Sequence, residues 1–301
     1  MTAGGIVRLS DGDLHTEVWP ENGGRVTAFY STRQGRRFDW MVPAPACDIA
    51  DGRSGAWGSF PLVPFSNRIR DACFEWEGET IRIEATEKGA TNAIHGHGRS
   101  LPWTVERTTG ESVRLCYRYG DGDWPFAYRA VQEISLASGA LTLVLELTNE
   151  SGRSMPAGLG HHPYFPWRGG PEVRARFEQY WPAVEGVLPT GAASLPAELR
   201  FEKDVSLPRG LDTGFSGWDG SFRIVWRRED AALEISASGE LGHMILFSPP
   251  DRPFFCAEPV SHSIDAVNLA ARGVGGTGIR SLAPGESMTA SVRLVPLLPG
   301  E

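Results

Sequence analysis

Residues 128–147 read YRAVQEISLASGALTLVLEL, two stretches in which apolar side chains recur at about every second position on either side of Ser138-Gly139. A two-residue period is typical of β-strands with one buried face, and a short polar and glycine pair between two such stretches is typical of a hairpin. The segment therefore predicts two antiparallel strands, Tyr128–Leu136 and Ala140–Leu147, joined by a tight turn.

The same alternation recurs along the chain, and helical patterns are nearly absent. Further strands are predicted at Ser112–Tyr119, Ser221–Arg227, Ala232–Ser238 and Met288–Pro296. Glu77-Gly78 and Ser238-Gly239 are further predicted hairpin turns. Pro182–Leu199 contains three prolines and is expected to hold at most a short turn, so Ser263–Arg272 is the other helix candidate. The fold class predicted is all-β, a large antiparallel β-sandwich.

The domain organisation follows from the distribution of turn residues. A chain of 301 residues is compatible with one or two domains. Its 36 glycines and 22 prolines are spread along the whole length and are not pooled in one linker. We therefore predict a single domain covering residues 1–301.

Charge and cysteine content exclude several classes of function. Acidic side chains outnumber basic ones 37 to 29, and a net charge of −8 disfavours nucleic acid as a partner. The four cysteines lie far apart and form no C-x-x-C pair, which indicates free thiols in a reducing compartment. No run of eighteen apolar residues occurs. We expect a cytoplasmic protein without a membrane segment.

Candidate catalytic residues lie in two glycine-framed histidine clusters and one late acidic position. The clusters are Asn92–Gly98 (NAIHGHG) and Gly158–Phe165 (GLGHHPYF), and glycine next to histidine lets a ligand approach the backbone closely. Glu258 ends the apolar run that begins at Phe254. An apolar setting raises the pKa of a carboxyl group toward the range useful to a general base.

Three other chemistries are disfavoured by missing motif residues. His95 and His97 form the His-x-His of a cupin metal site, but Arg99–Pro102 follow where such a site needs an acid, so no metal is predicted. The chain has no G-x-S-x-G elbow of a serine hydrolase. No G-x-G-x-x-G follows a predicted strand, so no nicotinamide cofactor is predicted.

Several short motifs occur together in one order along the chain. They are Asn67–Asp71 (NRIRD), Asn92–Gly96 (NAIHG), His162–Phe165 (HPYF), and Glu258-Pro259 with Asp265–Asn268 (DAVN). In this order and spacing the chain resembles the aldose 1-epimerases, the galactose mutarotase family. The resemblance extends from Gly23-Gly24-Arg25-Val26 to the last predicted strand.

This resemblance implies a galactose mutarotase-like supersandwich that binds a monosaccharide and uses no cofactor. It assigns His162 as the general acid and Glu258 as the general base. His95 is implied to be a polar partner of the sugar ring, and Arg68 and Asp212 are implied to hold sugar hydroxyls. Since adjacent strand residues point to opposite faces, His161 is not expected to reach the sugar beside His162.

The chemistry of anomer interconversion fits these two residue types. A base removes the proton of the C1 hydroxyl while an acid protonates the ring oxygen, and we expect a carboxylate and an imidazolium on opposite sides of the C1–O5 region. Two alternatives stay open. One is a hexose-6-phosphate 1-epimerase on the same fold, with Arg70 and Arg99 available for a phosphate, and the other is a carbohydrate-binding protein without catalysis.

Overall fold

The computed structural model describes residues 5–86, 90–120, 122–185 and 188–298. Most of them lie in strands. The strands are β1 (Val7–Asp11), β2 (Leu14–Trp19), β3 (Arg25–Arg33), β4 (Arg36–Asp39), β5 (Ser59–Leu62), β6 (Arg68–Ile69), β7 (Cys73–Trp76), β8 (Glu79–Arg82), β9 (Ala93–Ile94), β10 (Thr104–Thr108), β11 (Ser112–Tyr119), β12 (Tyr128–Ala137), β13 (Ala140–Asn149), β14 (Met155–Ala157), β15 (Gly160–Pro166), β16 (Glu172–Ala175), β17 (Gln179–Trp181), β18 (Ala183–Glu185), β19 (Leu188–Pro189), β20 (Ala193–Ser194), β21 (Val205–Ser206), β22 (Leu211–Ser216), β23 (Ser221–Trp226), β24 (Ala231–Ala237), β25 (His243–Ser248), β26 (Phe254–Val260), β27 (Arg280–Leu282) and β28 (Ser287–Leu297). Two short helices, α1 (Ala46–Ala50) and α2 (Ala266–Ala271), and 3-10 turns at Arg70–Ala72, Ala197–Leu199 and Arg227–Glu229 complete the elements.

Two large antiparallel sheets dominate the described structure. An eleven-stranded sheet runs β1-β2-β3-β5-β15-β26-β25-β22-β17-β20, with β4 paired to β3, and a nine-stranded sheet runs β10-β11-β12-β13-β28-β24-β23-β16-β21. One hydrophobic core draws side chains from both sheets, among them Phe29 and Phe255 from the first and Ile134 and Leu143 from the second. The predicted all-β, antiparallel sandwich is confirmed.

The predicted strands and helices mostly match the structure. All six predicted strands are present, Ser112–Tyr119 with the predicted ends and the others with ends shifted by at most two residues. Ser138-Gly139 and Glu77-Gly78 form hairpin turns with positive φ at both residues, whereas the hairpin predicted at Ser238-Gly239 is wrong. There the chain leaves β24 in one sheet and enters β25 in the other, anchored by the buried Leu241.

The helix predictions are confirmed at two places, and one helix was not predicted. The helix candidate Ser263–Arg272 contains α2, and the turn expected within Pro182–Leu199 is the one at Ala197–Leu199. Helix α1 was not predicted. It has five residues and buries none of them, so it leaves no apolar period in the sequence.

The central strands of the eleven-stranded sheet are buried on both faces. All seven positions of β26 and all four of β5 are buried. One face meets the shared core, and a second, smaller apolar cluster covers part of the other face. That cluster contains Phe60, Leu62, Leu188, Ile245, Val260 and Ile264, with Tyr164 packed against it.

No helix among the described residues is long and apolar enough to cross a bilayer. The single domain over residues 1–301 stays a prediction, and its ends, residues 1–4 and 299–301, lie outside the described residues.

Candidate active site

Strand register brings the two predicted catalytic residues together. On the antiparallel pair β15–β26, Gly160 lies opposite Val260 and Tyr164 opposite Cys256, which places His162 opposite Glu258. The Nε2 atom of His162 is 3.2 Å from Oε1 of Glu258. Direct cross-strand partners share one face of a sheet, so both side chains project from the face turned away from the shared core.

Several other side chains project from that same face. Tyr164 is two residues from His162 on β15, and Cys256 is two residues from Glu258 on β26. Asp212 on β22 lies opposite Phe247 on β25, and Phe247 lies opposite Cys256, so Asp212 shares their face. We call the surface formed by His162, Tyr164, Asp212, Cys256 and Glu258 the site face. His161 alternates to the other side of β15, where burial alone lowers its pKa to about 3.

The two motifs that contain Arg68 and His95 meet in a small ladder above the site face. Strands β6 and β9 pair with Arg68 opposite Ile94. The backbone N–H of His95 donates to the carbonyl of Asn67 at 2.8 Å, and the N–H of Asn67 donates to Nδ1 of His95 at 3.1 Å. Two segments that are distant in sequence are thereby fixed side by side.

This ladder also sets the tautomer of His95. Its pKa is lowered well below the usual range, first by burial and then by the charges of nearby groups, so the ring is neutral. Because Nδ1 accepts a hydrogen bond, the proton resides on Nε2, and His95 is a donor toward a ligand. The ring meets His162 edge-on with centroids 5.1 Å apart. Gly96 follows with φ near +63°, and a Cβ there would lie 2.1 Å from the carbonyl oxygen of Val63.

The third motif, DAVN, acts on the backbone that holds Arg68. The N–H of Asp265 donates to the carbonyl of Arg68 at 2.9 Å, and its fully buried carboxylate accepts from the N–H of Arg70 at 3.0 Å. Asn268 donates its side-chain amide to the same carboxylate and to the carbonyl of Cys73. The motif is therefore a structural clamp that fixes β6.

Arg68 and Asp212 line the rim of the site, and His162 and Glu258 form its floor. Both rim residues are partly exposed, whereas the side chains of His162 and Glu258 are 7% and 3% exposed. Burial raises the pKa of Asp212, and the positive charge of Arg68 opposes this shift. Arg68 likewise opposes the rise in the pKa of Glu258, so its guanidinium lies within electrostatic reach of both carboxyl groups.

The protonation of the pair differs from that expected from the sequence. Burial, followed by the charge of Arg25, lowers the pKa of His162 to about 3. Burial and the neighbouring Asp212 raise the pKa of Glu258 well above its usual range. Both directions favour a neutral imidazole and a protonated carboxyl group in the free site. The two groups are also in contact side by side, not on opposite sides of a space for the sugar.

Three further residues at the site were missed from the sequence. Phe60 and Tyr164 both stack on the ring of His162, at 4.6 and 4.7 Å between centroids. The guanidinium of Arg25 lies 4.5 Å from the centre of the Phe60 ring. Tyr164 was detectable, because strand alternation places it on the face of His162. Arg25 lies in the GGRV segment of the resemblance but had no assigned role.

Arg70, Arg99 and His97, the other residues considered in the sequence, lie at three different positions relative to His162 and Glu258. Arg70 is 3.5 Å from Asp265 and serves the clamp, whereas Arg99 lies near Phe60 and lowers the pKa of His162. His97 contacts Asp123 and the hydroxyl of Tyr128 and does not join the pair. Among the described residues, one group could share an ion, formed by His162, Cys256 and Glu258 with donor atoms within 4.8 Å of one another.

The fold and this site define a galactose mutarotase-like protein. A solved structure from Clostridium acetobutylicum, a galactose mutarotase-like protein, has the same fold, with a TM-score of 0.86, 20% identity and coverage of 99% of this chain and 96% of that one. A candidate aldose 1-epimerase from Escherichia coli K12 matches with a TM-score of 0.85 and 30% identity over 98% and 100% of the two chains.

The sequence comparisons give the family. The family model for aldose 1-epimerase matches residues 6–295. An uncharacterized Escherichia coli K12 protein, YphB, is 32% identical over an alignment of 298 positions that covers 96% of this chain and 98% of that protein. The chain belongs to the aldose 1-epimerase family, and its prediction as an isomerase is confirmed.

Proposed function

We propose that the protein is a cofactor-independent aldose 1-epimerase that interconverts the α and β anomers of a hexose, with Glu258 as base and His162 as acid. The observation that carries this proposal is the 3.2 Å contact between Nε2 of His162 and Oε1 of Glu258. The second carboxyl oxygen, Oε2, has no hydrogen-bond partner among the described residues and is buried. In this proposal, Oε2 accepts the anomeric proton.

A contacting acid and base suit this reaction because both reacting oxygens are bonded to C1. Ionised Glu258 takes the proton of O1 while the imidazolium of His162 gives a proton to O5. The O1–H electrons form the carbonyl bond, and the C1–O5 electrons move to O5. Rotation about C1–C2 exposes the other carbonyl face, and the ring closes with the two roles exchanged.

The pKa directions of the pair support one half of this cycle. After ring opening Glu258 is protonated and His162 is neutral, which is the distribution that burial favours. The buried pair is thus poised to close the ring, and ring closure itself returns Glu258 to the carboxylate and His162 to the imidazolium. In the free site, transfer of one proton across the 3.2 Å contact gives the same ring-opening state. Each group contributes about 10²–10⁴-fold in rate.

The rim residues bind the sugar in this proposal. Arg68 donates to a sugar oxygen, Asp212 accepts from a hydroxyl group, and Nε2–H of His95 donates toward the ring region. Hydrogen bonds with one charged partner are shorter and stronger than neutral ones, so Arg68 and Asp212 carry most of the binding.

A hexose 6-phosphate is the second candidate substrate, and one observation favours it. Arg25, Arg68 and Arg99 all act electrostatically on His95, so three positive charges surround the site. A purely carbohydrate-binding protein is disfavoured, because binding needs no acid in contact with a base. Four free cysteines support the reducing cytoplasm as its compartment.

Polarimetry of freshly dissolved sugars tests the proposal. We expect the purified protein to accelerate the decay of optical rotation of α-glucose or α-galactose toward equilibrium, with activity unchanged after dialysis against EDTA. A parallel series with glucose 6-phosphate separates the two substrates by kcat/KM. Absence of acceleration with every sugar in the series would refute the proposed activity.

A further inference from the structure

We infer that the site also binds one soft divalent cation, such as Zn²⁺, through His162, Cys256 and Glu258, and that this ion blocks the proposed acid and base chemistry. Cys256 has no part in the proposed acid and base chemistry. Binding of the ion stands on geometry alone, whereas the inhibition that it causes rests on the proposed function.

The three donor atoms are held by strand register. Cys256 and Glu258 project from the same face of β26, and His162 faces them from β15. One ring nitrogen of His162, Sγ of Cys256 and a carboxyl oxygen of Glu258 all lie within 4.8 Å of one another. Tetrahedral zinc with bonds of about 2.0–2.3 Å places its ligands roughly 3.3–3.8 Å apart. The contact between His162 and Glu258, at 3.2 Å, is already close to that value.

The chemistry of the donor set selects the ion. An imidazole nitrogen, a thiolate sulfur and a carboxylate oxygen suit Zn²⁺, Co²⁺ or Cd²⁺, whereas Mg²⁺ prefers oxygen ligands only. As the sulfur–metal bond forms, the thiol proton leaves to solvent. The thiolate and the carboxylate supply two negative charges, which offset the repulsion of the ion by Arg25, Arg68 and Arg99.

The same bonds make metal binding and catalysis mutually exclusive. The ion occupies the lone pair of Nε2 on His162, which must carry and release the proton for the ring oxygen. It also occupies the carboxylate of Glu258, which must accept the anomeric proton. The floor of the site can therefore hold the ion or process a sugar, but not both.

Metal binding is measured first without reference to activity. Metal-free protein is titrated with ZnCl₂ by calorimetry, with MgCl₂ as the hard-cation control. We expect one zinc site that Cys256→Ser weakens by about 100-fold or more, since loss of even an outer-shell partner costs 10–100-fold in affinity. Cys47→Ser, at an exposed thiol on α1, and Cys116→Ser, on the nine-stranded sheet, are the matched controls and should bind zinc as the wild type does.

Inhibition is measured by polarimetry on the same proteins. Zinc should abolish wild-type activity, EDTA should restore it, and Cys256→Ser should lose sensitivity to the ion when its rate with zinc is compared with its own rate without zinc. Zinc affinity unchanged in Cys256→Ser would overturn the inference, as would equal loss in a control variant. Zinc binding that depends on Cys256 in a protein inactive on every sugar would keep the metal site and refute the proposed function.

Cobalt gives a test that needs no variant. A thiolate ligand produces a sulfur-to-cobalt charge-transfer band in the near ultraviolet, and we expect it when CoCl₂ is added to the wild-type protein. If Cys256→Ser fails to fold by circular dichroism, this band and its loss on adding excess zinc decide the question. Bound cobalt without the band would overturn the assignment of Cys256.

Discussion

Glu258→Gln isolates the proton-accepting step from the shape of the site. Glutamine keeps the volume of Glu258, and its amide N–H can donate to Nε2 of His162 across the 3.2 Å contact. It cannot accept the anomeric proton. We expect kcat to fall by about 10²–10⁴-fold, equivalent to roughly 3–5 kcal/mol in the activation barrier. The free energy of unfolding should stay within about 1 kcal/mol of wild type, because one hydrogen bond replaces another.

The contact between the two residues makes a second quantity predictable. His162→Asn should lower kcat by a similar factor, and the double variant should be little worse than the poorer single variant, because neither group works without the other. Initial rates of optical rotation at several sugar concentrations give kcat and KM for each protein, and urea denaturation checks folding. Near-normal kcat in Glu258→Gln, or fully additive losses in the double variant, would refute the coupled acid and base mechanism.

Three further predictions test the rim, the core and the clamp. Arg68→Ala and Asp212→Ala should raise KM more than they lower kcat, since their hydrogen bonds act on bound sugar and transition state alike; equal KM values in steady-state kinetics would contradict this. Burial lowers the pKa of His161 to about 3. Below about pH 6.5 the unfolded chain therefore binds more protons than the folded protein, and the free energy of unfolding decreases as the pH decreases. His161→Leu should reduce the stability lost between about pH 7.5 and about pH 5.5 by about 1.4 kcal/mol in urea denaturation, and an unchanged pH dependence would show that this histidine is not buried neutral. Asp265→Ala should lower the free energy of unfolding by about 1–3 kcal/mol, because the backbone N–H of Arg70 and the side-chain amide of Asn268 lose their buried acceptor, and a stability unchanged in denaturant would contradict the clamp.

Most of the correct predictions of strands and strand faces came from the two-residue alternation of apolar side chains. It located β12 and β13 and separated His162 from His161, because each change of one residue reverses the face of a strand. The same rule could have placed Tyr164 beside His162. Strand alternation did not predict β26. All seven positions of this strand are buried, so both of its faces are covered and the sequence shows no two-residue period.

Contacts between distant segments could not be derived from local pattern. The hairpin expected at Ser238-Gly239 shows why, since turn residues specify a change of direction but not which sheet the next strand enters. The position of Glu258 opposite His162 depends on a register between strands that are far apart in the chain. The family resemblance, not periodicity, supplied that pairing as an expectation.

The clamp at Asp265 has a consequence for how this protein could change its preferred sugar. His162 and Glu258 stand on interior strands hydrogen-bonded on both sides, whereas Arg68 and His95 stand on a two-stranded ladder held by a few contacts to α2. In the proposed mechanism, the acid, the base and one hydroxyl-binding residue, Asp212, therefore belong to the large sheet, whereas Arg68 and His95 belong to a separate ladder. Substitutions in the ladder or in α2 can remodel hydroxyl recognition while the proton-transfer geometry beneath them remains intact.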